Sequence, residues 1–263
     1  MARIIGKFMK GVLGDSVLKT YGNMQIVQAR PVKGKSKRTE GMVKSSSLFG
    51  VASNIAHEFR TGVSKLVTPF YDGTMIFRLN TEVAHSLRYA NNPETGSFNL
   101  VADSFSKLEG FDFNAKSPLV NTLVSLPQVE IGEHTLTVSL PALEIPKNLK
   151  FPKDTKFCRM LIGRSLTDLT NKKRKIDFAT FDVLNKKGTT VPQSWEFETE
   201  PGCVCIVMIS LQFIQSSLAG ETVINSKTFN PAAILKAVVS EGQANKANTK
   251  TWSTTLTKPI KLG

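Results

Sequence analysis

The spacing of apolar residues changes once along this chain, from steps of three and four to steps of two. That change limits the fold more than any single motif does. Leu48, Val51, Ile55, Phe59, Val63 and Leu66 follow helical spacing, the stripe of a helix with one buried side. Thr39 stands where an N-cap is expected, and Pro69 stops the helix after Thr68. Asp72-Gly73 turns the chain, and Met75, Ile76, Leu79, Val83 and Leu87 form a second stripe that ends at Asn91-Asn92-Pro93. Beyond about residue 120 the period is two. Thr135 to Leu140 alternates Leu136, Val138 and Leu140 with Thr and Ser, and Phe157–Ile162, Ile176–Leu184 and Val204–Ile214 read as further strands. Lys147-Asn148, Asn171-Lys172, Lys186-Lys187-Gly188 and Pro201-Gly202 separate them. The expected fold is α+β, with an N-terminal arm and helical hairpin followed by an antiparallel, immunoglobulin-like β-sandwich.

This pattern divides the chain into a basic arm or linker over 1–38, a helical hairpin region over 39–118, a sandwich over 119–244 and an extended tail over 245–263. Gly6, Gly11, Gly14 and Gly22 cut the arm into short pieces, only Met24–Val27 reads as a strand, and no internal repeat is expected. In the tail, Trp252, Thr254 and Leu256 alternate with Thr251, Ser253 and Thr255. It is expected to add a strand to a sheet edge, its own or a neighbour's, with Trp252 and Leu256 as assembly contacts.

A chain of 263 residues can bury a substantial core. Its sixteen Phe, against two Trp and three Tyr, favour interior packing over a stacking surface. The net charge of +13 is concentrated in two stretches. Residues 1–40 hold nine Lys and Arg against Asp15 and Glu40, and residues 146–187 hold twelve against Asp154, Asp168, Asp177 and Asp182. Such local positive fields suit phosphate or an acidic face of a neighbouring subunit. Lys172, Lys173, Arg174 and Lys175 are the densest candidates for that contact, with Lys33, Lys35, Lys37 and Arg38 in the arm. The competing reading of the first run is a solvated turn between strands.

Motifs for catalysis or cofactors fail on spacing. Gly34-Lys35-Ser36 ends like a phosphate-binding loop, but the first glycine of that loop is replaced by Ala29. His57-Glu58 opens like a zinc-protease helix, but Thr61 stands where the second His belongs. His57, His85 and His134 have no ligand spacing with one another or with cysteine, and Cys203-Val-Cys205 is not a redox Cys-x-x-Cys. No catalytic, metal or cofactor site is expected. Cys158, Cys203 and Cys205 are read as reduced and buried in strands. Lys7 and Lys10 interrupt any signal-peptide core, and the apolar run from Cys203 to Leu211 is too short to span a bilayer. A cytoplasmic protein is expected, free or within a virus-like particle.

The N-terminal layout resembles a family of uncharacterised proteins common in Bacteroidota. Gly11-Val12-Leu13-Gly14, Tyr21-Gly22-Asn23, Ile26-Val27-Gln28-Ala29-Arg30-Pro31, Thr39-Glu40 and the helix through Phe49 and Phe59 carry the likeness, with Asn225-Ser226 in the later strands. Arg30 and Pro31 are adjacent here, where the family reads Arg-x-x-Pro. The resemblance implies a helix followed by a β-rich half and a bacterial source. It implies no activity and no site residue.

These features favour a non-enzymatic structural or assembly protein that self-associates or docks into a larger particle, phage-like or injection-like. Its expected partners are copies of itself or other proteins, reached through arm and tail, and no membrane is expected. The alternative is sequence-independent nucleic-acid binding. A third reading is an enzyme or carbohydrate-binding sandwich, for which Trp195 and Trp252 are the only tryptophan platforms.

Overall fold

Turn chemistry, rather than burial, builds the first sheet of the computed structural model, which describes residues 2–31, 39–67, 70–132, 134–218, 220–255, 260 and 262. Strands β1 (Arg3–Ile5), β2 (Phe8–Leu13), β3 (Ser16–Tyr21) and β4 (Met24–Ala29) form an antiparallel meander in chain order. Gly6-Lys7, Gly14-Asp15 and Gly22-Asn23 connect them, and the three glycines adopt φ of 61°, 56° and 55°. A two-residue loop that opens on glycine at positive φ matches the twist of the strands it joins. The expected arm over 1–38 is therefore a sheet from Arg3 to Ala29. The expectation of no internal repeat also fails, because these glycines recur every eight residues.

The chain divides into two compact units, Met1–Ser45 and Ser46–Gly263, so the boundary falls inside the first helix and not at residue 38. Helix α1 (Glu40–Val67) begins where the Thr39 hydroxyl accepts a hydrogen bond from the Met42 N–H at 3.2 Å, the expected cap. Helix α2 (Met75–Ala90) follows, and Asn91 ends it as expected. Ile55, Phe59 and Val63 of α1 and Leu79, Val83 and Leu87 of α2 enter one core. Arg60 donates to Asn80 at 2.9 Å and ties the helices together.

The rest is β-rich: β5 (Gln128–Ile131), β6 (Thr135–Leu140), β7 (Glu144–Ile145), β8 (Phe157–Asp168), β9 (Lys173–Leu184), β10 (Gly188–Thr189), β11 (Gln193–Glu198), β12 (Val204–Ser217), β13 (Gly220–Val223), β14 (Ala232–Val239) and β15 (Ser253–Thr254). The larger sheet runs β13-β12-β8-β9-β15, with β14 also on β12; β11-β6-β5 form a second sheet and β10-β7 a small pair. The predicted strand over Thr135–Leu140 is β6 residue for residue.

Strand β12 explains the layering. Val204, Ile206 and Met208 join the helical core, while Cys205, Val207, Ile209, Leu211 and Phe213 join a second core with Leu136, Val138 and Leu140 of β6. A strand buried on both faces reads as a continuous apolar run, which is why Cys203–Leu211 looks like a short hydrophobic segment. The larger sheet thus carries helices on one face and the three-stranded sheet on the other, and the β-rich part curls as a partial half-barrel. At Gly62 the α1 backbone approaches β8 so closely that a Cβ would collide with the Ser165 hydroxyl oxygen.

Two buried asparagines join the layers. Asn225 accepts from the Phe213 N–H and donates to the Leu211 carbonyl, each at 2.8 Å, and Asn230 donates to the Val67 carbonyl at the end of α1 at 3.0 Å. Among the described residues no helix is long and apolar enough to cross a membrane.

Candidate assembly surface

Cross-strand partners share a face of a sheet, and successive residues alternate between faces. The N-terminal register pairs Ile4 with Met9, Gly11 with Leu18, Leu13 with Ser16, Leu18 with Val27, Ser16 with Ala29 and Thr20 with Gln25. These ten residues form one face without a single charge. The other face mixes Ile5, Phe8, Val12, Val17, Tyr21, Met24 and Ile26 with Arg3, Lys10 and Lys19.

On the uncharged face Leu18 is buried, whereas Ile4, Leu13 and Val27 are 75%, 58% and 61% exposed. The Gln25 amide crosses from β4 to β2, accepting from the Met9 N–H at 2.8 Å and donating to the Met9 carbonyl at 2.9 Å. That pair of bonds fixes the register of the face. Met42 and Val43, on the first turns of α1 in the same unit, are also exposed. Sequence reading missed this surface. The available signal was glycine followed by a polar or charged residue every eight positions, with six-residue segments between.

The basic run has a different setting. Lys172 adopts φ of 56° in the turn between β8 and β9. The Lys173 ammonium donates to Thr254 at 3.1 Å. Arg174 forms an ion pair with Glu58 of α1 at 2.9 Å, with both side chains largely buried. Lys175 pairs with Glu198 of β11 at 2.6 Å, and that hydrogen bond holds the Glu198 carboxyl below its usual range. Glu58, which sequence reading weighed as part of a failed zinc motif, is the buried counter-ion of Arg174. Lys33, Lys35, Lys37, Arg38 and Leu256 lie outside the described residues.

Strand β15 pairs with β9, Ser253 opposite Arg174 and Thr254 opposite Lys173, so this part of the tail adds to its own sheet. Buried Glu200 accepts from the Asn245 N–H at 2.9 Å and the Asn248 amide at 3.2 Å, which anchors the approach. Trp252 is half-buried and packs against the second core.

The three cysteines are free and buried. Burial pushes their thiols up, that of Cys205 to about 12, which makes them inert at neutral pH. Beside Cys203 and Cys205 lies Arg164, whose guanidinium burial draws its pKa down. Arg164 forms an ion pair with Asp177. Among the described residues no group of three or more His, Cys, Asp and Glu is placed to hold a metal ion. An apolar pocket of about 340 Å³ lies against α1 and α2, lined by Val63, Val67, Met75 and Phe113 with His57 and Arg60.

Comparison with protein-family models, curated proteins and solved structures yields no match to this chain.

Proposed function

We propose that the protein is a non-enzymatic assembly protein whose uncharged N-terminal sheet face packs on the same face of a second copy. One observation carries the reading: in a chain of net charge +13, ten residues of one face contribute no charge, while its apolar members stand exposed. A twofold contact sets a face against its own copy, so a face whose charges are all positive would bring cations against cations. The face is three strands of six residues and one of three, roughly 340 Å² from the usual strand dimensions. A stable interface takes about 800 Å² from each partner.

The β-rich half would serve as the body that such contacts array. Its two facing sheets support a sandwich, and helices over one sheet depart from an immunoglobulin-like plan. The ion pairs of Arg174 and Lys175 weigh for assembly over phosphate contact by that run. A compartment without strong oxidants suits the three free thiols.

The test is light-scattering mass of the full chain against Val27→Asp and, on the opposite face, Met24→Asp. The expected result is a dimer or larger species that falls to monomer with V27D and persists with M24D. A monomeric wild type, or a mass indifferent to V27D, overturns the reading. Loss of mass with M24D alone would assign assembly to the basic face and overturn it as well.

A further inference from the structure

A second site lies in the β-rich unit, along the seam between β9 and β11. A cavity of about 570 Å³ there is lined by Arg164, Lys175 and Asp177 on one side and by Trp195, Glu196 and Glu198 on the other. It shares Lys175 and Glu198 with a neighbouring cavity of about 490 Å³ that reaches His134 and Trp252. Each volume falls within the roughly 300–1,000 Å³ of small-molecule sites.

Both strands meet this seam with an open edge. Among the described residues β11 is bonded only to β6, and β15 covers β9 only at Lys173 and Arg174. The gap is bridged by side chains instead. Lys175 reaches Glu198 at 2.6 Å, and the rings of Phe181 and Trp195 lie 6.3 Å apart.

Arg164 is the residue that structural economy leaves unexplained. Its side chain is 1% exposed, yet it lines the larger cavity. One terminal nitrogen pairs with Asp177, while Nε and Nη1 find no acceptor among the described residues. A buried donor without an acceptor costs about 1–3 kcal/mol, more when charged. A side chain serving packing alone would be apolar here, like its neighbours Ile162 and Leu166 on the same face.

We propose that this seam binds a neutral polyhydroxylated ligand, an oligosaccharide, with Trp195 and Trp252 as stacking faces and Arg164, Lys175, Asp177 and Glu198 as its polar contacts. The charges in the larger cavity alternate in sign. Lys175 lies 3.9 Å from Asp177 as well as 2.6 Å from Glu198. Two cations and three carboxylates disfavour a phosphate or polyanion. The same set offers both the donors and the acceptors that hydroxyl groups need. The C–H face of a pyranose ring is apolar and carries partial positive charge, which suits the negative face of an indole. This site is independent of the N-terminal sheet and stands or falls apart from the assembly reading.

The experiment uses the intrinsic fluorescence of the full chain, which has two tryptophans, both lining the seam. Maltohexaose, cellohexaose, xylohexaose and chitohexaose are titrated separately, with inorganic phosphate and oligogalacturonate as anionic probes. The expected result is a saturable emission change with at least one neutral hexasaccharide and none with the anions. Glu198→Gln should weaken that binding about tenfold, the worth of one charge-assisted hydrogen bond. Its light-scattering mass should match wild type, and its stability should fall by no more than about 1 kcal/mol, because the Glu198 side chain is largely exposed. Silence toward all four neutral probes to about 10 mM overturns the proposal. So does a response to the anionic probes alone, or a response that E198Q leaves unchanged.

Discussion

The N-terminal sheet and the larger sheet are both antiparallel and use many of the same residue types, yet they are made in opposite ways. In β12 ten of fourteen residues are buried, on one face against helices and on the other against β6. In β4 five of six residues are exposed. Burial specifies the first, and its turns can be irregular. Backbone conformation specifies the second, through glycines at positive φ that set each two-residue turn. A sheet of the second kind keeps its apolar surface available, at the expense of the stability that a core provides.

The same deletion in both places tests this contrast most sharply. Phe213→Ala in the second core should destabilise the second unit by about 3–5 kcal/mol, because a fully buried ring is removed and a cavity remains. Val27→Ala on the uncharged face should change monomer stability by no more than about 0.5 kcal/mol. Urea unfolding at a concentration low enough to keep the chain monomeric measures both. Equal costs would break the comparison.

A smaller effect separates neighbours within the basic run. Arg174→Met should cost about 3 kcal/mol, because it strands the buried Glu58 carboxylate. Lys172→Ala removes a side chain from a turn at positive φ and should cost under about 1 kcal/mol. Thermal melts of the two variants distinguish a structural ion pair from a run of interchangeable surface charges.

The smallest effect concerns pH and the second unit. Burial alone would favour the neutral form of Asp72, but hydrogen bonds from the Ala115 N–H, from Thr74 and from Arg78 outweigh it and hold the carboxyl well below the usual range. A depressed folded pKa gives stability that is complete above the unfolded value of about 3.9 and is lost as pH falls toward the folded one. Asp72→Asn should therefore cost about 1–2 kcal/mol at pH 7. It should also flatten the fall of stability below about pH 4, read from urea midpoints across pH.

How much of this was legible depended on range. The stripes through Ile55 and Leu79 gave both helices, and the alternation at Leu136 gave β6, because those signals are local. β11 was missed although Gln193–Glu198 alternates Trp195 and Phe197 with Ser194, Glu196 and Glu198, because two apolar residues make a short signal, and β14 because Ala232–Val239 lacks alternation. The ion pair of Arg174 joins residues 116 positions apart, beyond any spacing argument. Arg164 did leave a local trace, a lone cation in the apolar stretch from Met160 to Leu166, but its cavity depends on β11 and could not be inferred without it.

The eight-residue step of the first sheet also governs how its length can change. Moving eight positions along the chain reverses strand direction and exchanges faces: Leu18 becomes Ile26, on the basic side. Moving twice that distance restores both, as from Met9 to Gln25 or from Gly11 to Val27. An insertion or deletion of a single repeat would therefore send the chain out of the sheet at the opposite end and exchange the faces of the strands that follow. Loss or gain of two repeats together would preserve exit direction and facial chemistry alike. Related chains that keep the surface are expected to differ in length here by whole pairs of strands, so the hairpin, not the strand, is the unit in which this region can grow.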